Sequence, residues 1–203
     1  MLKVGLTGGI ACGKSSVLAI FASLGAHVQR ADEVGHRLMS PGEPVYRRIV
    51  EAFGPQILSP DGAISRPALA AAAFPNRIAE LNAIVHPAVL AYENEWMRSI
   101  DEAEPAAIAI CEAALLIEAG GRARFDRLIV VTCSLEQKIA RFAERAGIGP
   151  EAARAEVARR MAAQMPEAEK AKLADYVIDN SGSREELEAE THKIWEELRR
   201  LAR

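Results

Sequence analysis

Leu2-Lys3-Val4-Gly5-Leu6-Thr7-Gly8-Gly9-Ile10-Ala11-Cys12-Gly13-Lys14-Ser15 is the stretch that decides the architecture of this chain. Its first half is a short apolar run, as expected for a strand covered on both faces. Its second half meets the full G-x-x-x-x-G-K-[ST] pattern and leads into a helix. Glycines there let successive backbone N–H groups turn inward around a polyphosphate, and the helix presents its positive end to the anion. In such a cradle Lys14 reaches the β- and γ-phosphates of ATP and Ser15 ligates Mg²⁺. The candidate nucleotide-binding residues are therefore Gly8, Gly9, Ile10, Ala11, Cys12, Gly13, Lys14, Ser15 and Ser16. A chance glycine-rich turn would not need the Lys-Ser pair at the helix start. Cys12 reads as a loop filler whose backbone does the binding.

Outward from this stretch, short apolar runs alternate with longer helical ones. Leu2 to Thr7, Ala26 to Gln29, Ala106 to Cys111, Arg127 to Thr132 and Tyr176 to Ile178 read as strands. Runs such as Leu128-Ile129-Val130-Val131 carry no polar alternation, so helices cover both faces. The predicted fold is α/β, a doubly wound three-layer parallel sheet of the P-loop type, in one domain spanning residues 1–203. The stretch from about 32 to 104 is too long for one crossover and reads as an inserted helical lobe. Residues from about 137 to 165, broken at Gly147-Ile148-Gly149-Pro150, read as two helices of a hinged lid. Leu187, Thr191, Ile194, Leu198 and Leu201 form a stripe that packs a last helix on the sheet.

Composition narrows the partners. A net charge of -3 and a pI near 5.9 give no global attraction to nucleic acid or to an anionic membrane, so anion recognition must be local. Cys12, Cys111 and Cys133 have neither paired spacing nor an even count, which fits a reducing compartment, the cytoplasm by default. No apolar run approaches the ~20 residues of a membrane span. A monomer is the default for a site complete in one chain.

The cradle alone does not separate a kinase from a switch or a motor. Asp32-Glu33-Val34-Gly35 imitates a D-x-x-G element, but no Asn-Lys-x-Asp accompanies it. Asp32 fits better as a catalytic carboxylate just beyond the second strand, where ligands of open parallel sheets gather. There it accepts a hydroxyl proton and touches the Mg²⁺ shell, or it serves as a helix N-cap. Arg141 and Arg145 share a helical face, with Arg154, Arg159 and Arg160 after the break, so the lid carries cations to close over phosphates. Lys14 and Arg141 join Asp32 as candidate catalytic residues. Glu112, just past the third strand, is placed either to reach Mg²⁺ waters or to pair with an arginine.

With those residues in view, the chain resembles dephospho-coenzyme A kinases over essentially its whole length. The resemblance rests on Leu6 to Ser15, Ala31-Asp32, Phe53-Gly54, Asp61 to Arg66, Leu81 to Pro87 and Glu112 to Glu118. Arg141, Arg145, Arg160 to Gln164 and Ala174 to Asn180 complete it. It implies ATP-dependent phosphorylation of the 3′-hydroxyl of dephospho-coenzyme A, with Asp32 as base. It further implies that Arg145 and Asn180 attend ATP, Asn180 near the adenine, and that the lobe around Arg66 and His86 accommodates the acceptor. His86-Pro87 also has a purely local reading, a helix start fixed by Pro, and Leu115-Leu116 reads as core. Arg30 stands where the family has an Asp, which predicts contact with a substrate phosphate or an ion pair lowering the basicity of Asp32. The rival readings are a nucleoside monophosphate kinase, whose acceptor motifs are not evident, and a non-catalytic nucleotide sensor, for which no output domain is visible.

Overall fold

The computed structural model describes residues 1–202, which divide into two compact units: residues 1–29 with 100 onward, and residues 30–99. The first unit is built on five strands, β1 (Leu2–Gly8), β2 (His27–Arg30, its last residue already in the second unit), β3 (Ile108–Glu112), β4 (Arg127–Thr132) and β5 (Tyr176–Asp179). Their order is β2-β3-β1-β4-β5, and β1 lies parallel to both β3 and β4, as β5 does to β4. The sequence reading of strands holds to within two residues at each end. Glu112 is the exception of interest: it closes β3, buried, instead of lying beyond it.

Alternation along β1 assigns the two faces. Leu2, Val4 and Leu6 join Ile110, Ile129, Val131 and Ile178 in one core with Val17, Leu18 and Phe21 of α1 (Lys14–Ser23). Leu187, Thr191, Ile194, Trp195 and Leu198 are buried on the C-terminal helix, Arg184–Leu201, whose N-terminus is closed by a Ser183–Glu186 capping box. Leu201, the last predicted member of that stripe, is 43% exposed, and Ala202, four residues after the buried Leu198, packs against the core in its stead. The opposite face of β1 carries Gly5, where a Cβ would come within 3.0 Å of Leu116 and Phe125. Leu116 is thus core, but Leu115 is 48% exposed in the turn after β3.

The second unit holds α2 (Ala31–Leu38), α3 (Pro44–Phe53), α4 (Arg66–Ala73) and most of α5 (Ile78–Ala103). Its core is Val45, Ile49, Phe53, Ile57, Leu69, Ala73 and Ile84. Arg77 stacks over Phe53 at 4.3 Å and donates to the Ala52 carbonyl at 2.8 Å, tying the start of α5 to the end of α3. Two local readings are corrected here. Pro87 lies inside α5 and not at a helix start, its locked φ being compatible with the helix at the loss of one backbone hydrogen bond. The N-cap of α2 is Arg30, with extended backbone and no side-chain cap, so Asp32 sits in the first turn.

The remaining helices belong to the first unit: α6 (Leu135–Ala146), α7 (Pro150–Ala162), α8 (Glu167–Lys172) and α9, the C-terminal helix already described. Gly147 ends α6 in the left-handed region at φ 63°, and Pro150 opens α7, as the Gly-Pro break predicts. Lys170 of α8 is fully buried and donates to Glu118 at 2.8 Å and to the Ala114 carbonyl at 3.3 Å, a carbonyl that Thr7 of β1 also reaches at 3.3 Å. Burial alone would raise the Glu118 carboxyl, but hydrogen bonds from Lys170 and the Met165 N–H hold it below the ordinary glutamate value. Glu118→Ala strands the Lys170 ammonium in the interior, and is expected to destabilise the fold by about 3 kcal/mol. Urea unfolding monitored by tryptophan fluorescence reads this as a lower midpoint at unchanged slope.

Candidate active site

The loop between β1 and α1 takes its shape from close backbone contacts. Gly8 has φ 152°, and a Cβ there would sit 2.2 Å from the Val131 carbonyl oxygen of β4. Gly13 has φ 85°, and a Cβ there would meet Asn180 Nδ2 at 2.1 Å. A side chain at either position collides, so the glycines are required for approach as well as for backbone freedom. Ala11 also takes a positive φ of 54°. No side chain caps the N-terminus of α1, which leaves its first N–H groups to an anion.

Lys14 folds back over the loop and donates to the carbonyls of Gly9 at 3.0 Å and Gly8 at 3.3 Å, which places its ammonium at the mouth of the cradle. Ser15 and Ser16 are exposed in the first turn of α1. Asn180, buried just after β5, donates to the Cys12 carbonyl at 2.8 Å and accepts Arg141 Nη2 at its own carbonyl at 3.1 Å. That chain of contacts carries Arg141 from α6 to the loop. Arg141 Nη1 is buried and has no hydrogen-bond partner, and it lies 3.7 Å from a Cβ built on Gly13. A buried, unpartnered guanidinium N–H beside a phosphate cradle is the chemistry a polyphosphate oxygen satisfies.

The other α6–α7 arginines are engaged elsewhere. Arg145 stacks over Phe142 at 5.4 Å, and Arg160 covers the same ring at 5.3 Å. Arg159 and Arg160 both pair with Glu156, while Arg154 pairs with Glu136 at 3.2 Å. Ile10 of the loop packs with Ile139, Phe142, Ala153 and Val157, so α6 and α7 share a small core with the cradle itself.

Sequence reasoning missed the groups beneath the loop. Lys138 of α6, 4% exposed, pairs with Glu167 of α8 at 2.7 Å. Glu167 in turn accepts the Cys12 thiol at 3.2 Å and occupies the space a Cβ on Gly9 would fill. Cys12 is therefore more than a filler. Cys133, which follows β4, lies beside the loop, with its thiol 3.9 Å from the Ala11 carbonyl oxygen. The influence of Cys133 and burial push the Cys12 thiol up, whereas the influence of Cys12, with Arg141 and Lys138 nearby, brings Cys133 down to about 7. Only Lys138 carried a hint in one dimension, as a lone cation beside Ile139 on the apolar face of α6.

The candidate acceptor residues lie in the helical unit. Asp32 is exposed in the first turn of α2, Arg66 is exposed at the first position of α4 behind its Ser65 N-cap, and His86 is exposed on α5. Arg30 pairs with Glu33 at 2.6 Å, one turn along α2. The ion pair expected of Arg30 thus involves that neighbouring glutamate, which the helical turn brings to its side.

A parallel sheet with the phosphate cradle at the end of β1, and a cation directed at that cradle from a helix pair, define the class: a P-loop kinase. A family model described as dephospho-CoA kinase matches residues 2–186. A dephospho-CoA kinase of Geobacter metallireducens is 43% identical over 199 residues, covering 97% of this chain and 96% of the relative. One of Corynebacterium glutamicum is 39% identical over 202 residues and 98% of both chains. A solved dephospho-CoA kinase from Campylobacter jejuni superposes with a TM-score of 0.63 at 26% identity, over 97% of this chain and 96% of that one. The chain belongs to the dephospho-CoA kinase family.

Gly8→Ala drives a methyl group into a strand carbonyl that has no room to move. ATP binding followed by equilibrium dialysis is expected to fall by more than about a hundredfold, equivalent to ~2.7 kcal/mol. Affinity within a few-fold of the native chain would show that the loop tolerates a side chain there.

Proposed function

We propose that this chain transfers the γ-phosphoryl group of ATP to the ribose 3′-hydroxyl of dephospho-coenzyme A, giving coenzyme A and ADP in the last step of coenzyme A synthesis. The observation that carries the reading is the buried, unpartnered Arg141 Nη1 beside the Gly8–Ser15 cradle, in a chain of this family. Backbone N–H groups of the loop and of the first turn of α1 bind the phosphates, and Lys14 reaches the bridging and terminal oxygens. Arg141 neutralises charge as the phosphoryl group moves. That contribution outweighs proton removal in a loose transition state.

The Ser15 hydroxyl, exposed at the start of α1, would hold Mg²⁺, with the Asp32 carboxylate as its second protein group. Such an ion would supply charge screening of the phosphates. Asp32 receives the hydroxyl proton, and Arg66 and His86 contact the acceptor. The α6–α7 pair serves as the lid that excludes water, a competing acceptor.

An ADP-release assay offering dephospho-coenzyme A against AMP, UMP, CMP and dTMP tests the assignment; selective use of a nucleoside monophosphate would replace it. Asp32→Asn is expected to bind ATP normally and to lose about a hundredfold or more in kcat, within the range for a positioned acid or base. Transfer at the native rate would remove Asp32 as the base. Arg30→Asp, which places an acid where the resembled family has one, is expected to raise kcat by a few-fold, on the order of 1 kcal/mol or less. Unchanged turnover would show that Arg30 has no bearing on the transfer.

A further inference from the structure

We propose that Glu167, held by Lys138, is a positioning residue for the nucleotide: its carboxylate fixes Gly9 and Cys12, the two loop residues whose carbonyls hold the cations of the site. Both carboxylate oxygens are committed. Oε1 accepts the Cys12 thiol at 3.2 Å and lies 1.7 Å from where a Cβ on Gly9 would stand. Oε2 meets Lys138 Nζ at 2.7 Å. This grip uses a side-chain S–H and the bare face of a glycine, so it takes no backbone N–H from the phosphates.

The carboxylate stands on a fixed mount. Glu167 opens α8, and three residues on the fully buried Lys170 reaches Glu118 at 2.8 Å and the Ala114 carbonyl at 3.3 Å. Thr7, the residue before Gly8, donates to that same carbonyl, so α8 is tied to the strand that leads into the loop. Lys138 comes from α6, three positions before Arg141, and is 4% exposed. Its charge serves the site as well as the pair: a lone carboxylate against a phosphate cradle repels the nucleotide, and Lys138 cancels it.

Both cations of the site hang from the residues that Glu167 touches. The Gly9 carbonyl accepts Lys14 Nζ at 3.0 Å. The Cys12 carbonyl accepts Asn180 Nδ2 at 2.8 Å, and the backbone carbonyl of Asn180 accepts Arg141 Nη2 at 3.1 Å. A shift of Gly9 or Cys12 thus displaces Lys14 and Arg141, and a misplacement of about 1 Å costs on the order of a hundredfold in rate. Gly9 has no positive φ, so its backbone does not demand glycine; the Glu167 carboxylate does, by filling the place of a side chain.

The test measures ATP affinity and the number of ATP sites by equilibrium dialysis on the full chain. The role rests on ATP binding at this loop, as proposed above, and is measured without an acceptor, so failure to phosphorylate dephospho-coenzyme A leaves it intact. Lys138→Met with Glu167→Ala strands no ammonium and leaves the net charge beneath the loop unchanged. Its ATP Kd is expected to rise about tenfold, or ~1.4 kcal/mol, with the number of sites unchanged. Lys138→Met with Glu167→Gln keeps an oxygen for the Cys12 thiol and is expected to return Kd to within about threefold of native. Gly9→Ala is expected to weaken binding about tenfold or more in the native chain, and by no more than about twofold further in the Lys138→Met, Glu167→Ala chain, because the changes share one contact. Native affinity in the Lys138→Met, Glu167→Ala chain overturns the proposal. Fewer sites at the native Kd overturn it too, by reducing the pair to a structural role. Equal losses from Gly9→Ala in the two chains overturn the Glu167 contact as the reason for glycine there.

Discussion

The approach of the β4 and β5 ends to the backbone of the Gly8–Ser15 loop is the constraint on which the site depends. Gly8 lies against the Val131 carbonyl and Gly13 against the Asn180 amide, both nearer than any side chain permits. These contacts set the direction of the loop's N–H groups before any ligand arrives. Preorganised donors of this kind need no rearrangement as charge develops, which is why such cradles serve phosphoryl transfer. The register of β1 with β4, pairing Gly8 with Val131, is therefore also the register of the site.

Charge is arranged around that loop with economy. Lys170 and Lys138 are almost wholly buried, and each meets a carboxylate, Glu118 and Glu167 respectively. A buried cation left alone would cost several kcal/mol, so such pairing is expected. Arg141 differs: Asn180 takes one edge of its guanidinium, and Nη1 is left without a partner beside Gly13. The same α6 helix thus supplies one cation committed to structure and one with capacity remaining for an anion.

Arginine count misleads on the α6–α7 pair. Five arginines read as a phosphate-closing face, yet Arg154, Arg159 and Arg160 meet acids of α6 and α7 and Arg145 stacks over Phe142. Exposed pairs of this sort contribute little to stability. What distinguishes Arg141 is Asn180, which lies 39 positions away and reaches α6 only through the sheet. Local pattern likewise misjudged Pro87, carried inside α5, and the alternative of an N-cap role for Asp32, which sits one position past the residue after the α2 cap.

Much of this protein was legible in one dimension. The apolar runs, the glycine spacing, the Lys-Ser pair and the Gly-Pro break each rest on a local rule, a period or a backbone angle, and a local rule needs no fold to act. The series of matched segments added the family, because an ordered set of motifs is itself a linear property. The Lys138–Glu167–Cys12 linkage, the approach of Cys133 to the Ala11 carbonyl and the Asn180 relay to Arg141 had no such trace. Each joins residues from separate elements at the carboxyl ends of β1, β4 and β5. Their separation in space is set by sheet order and helix packing, which only the folded chain decides.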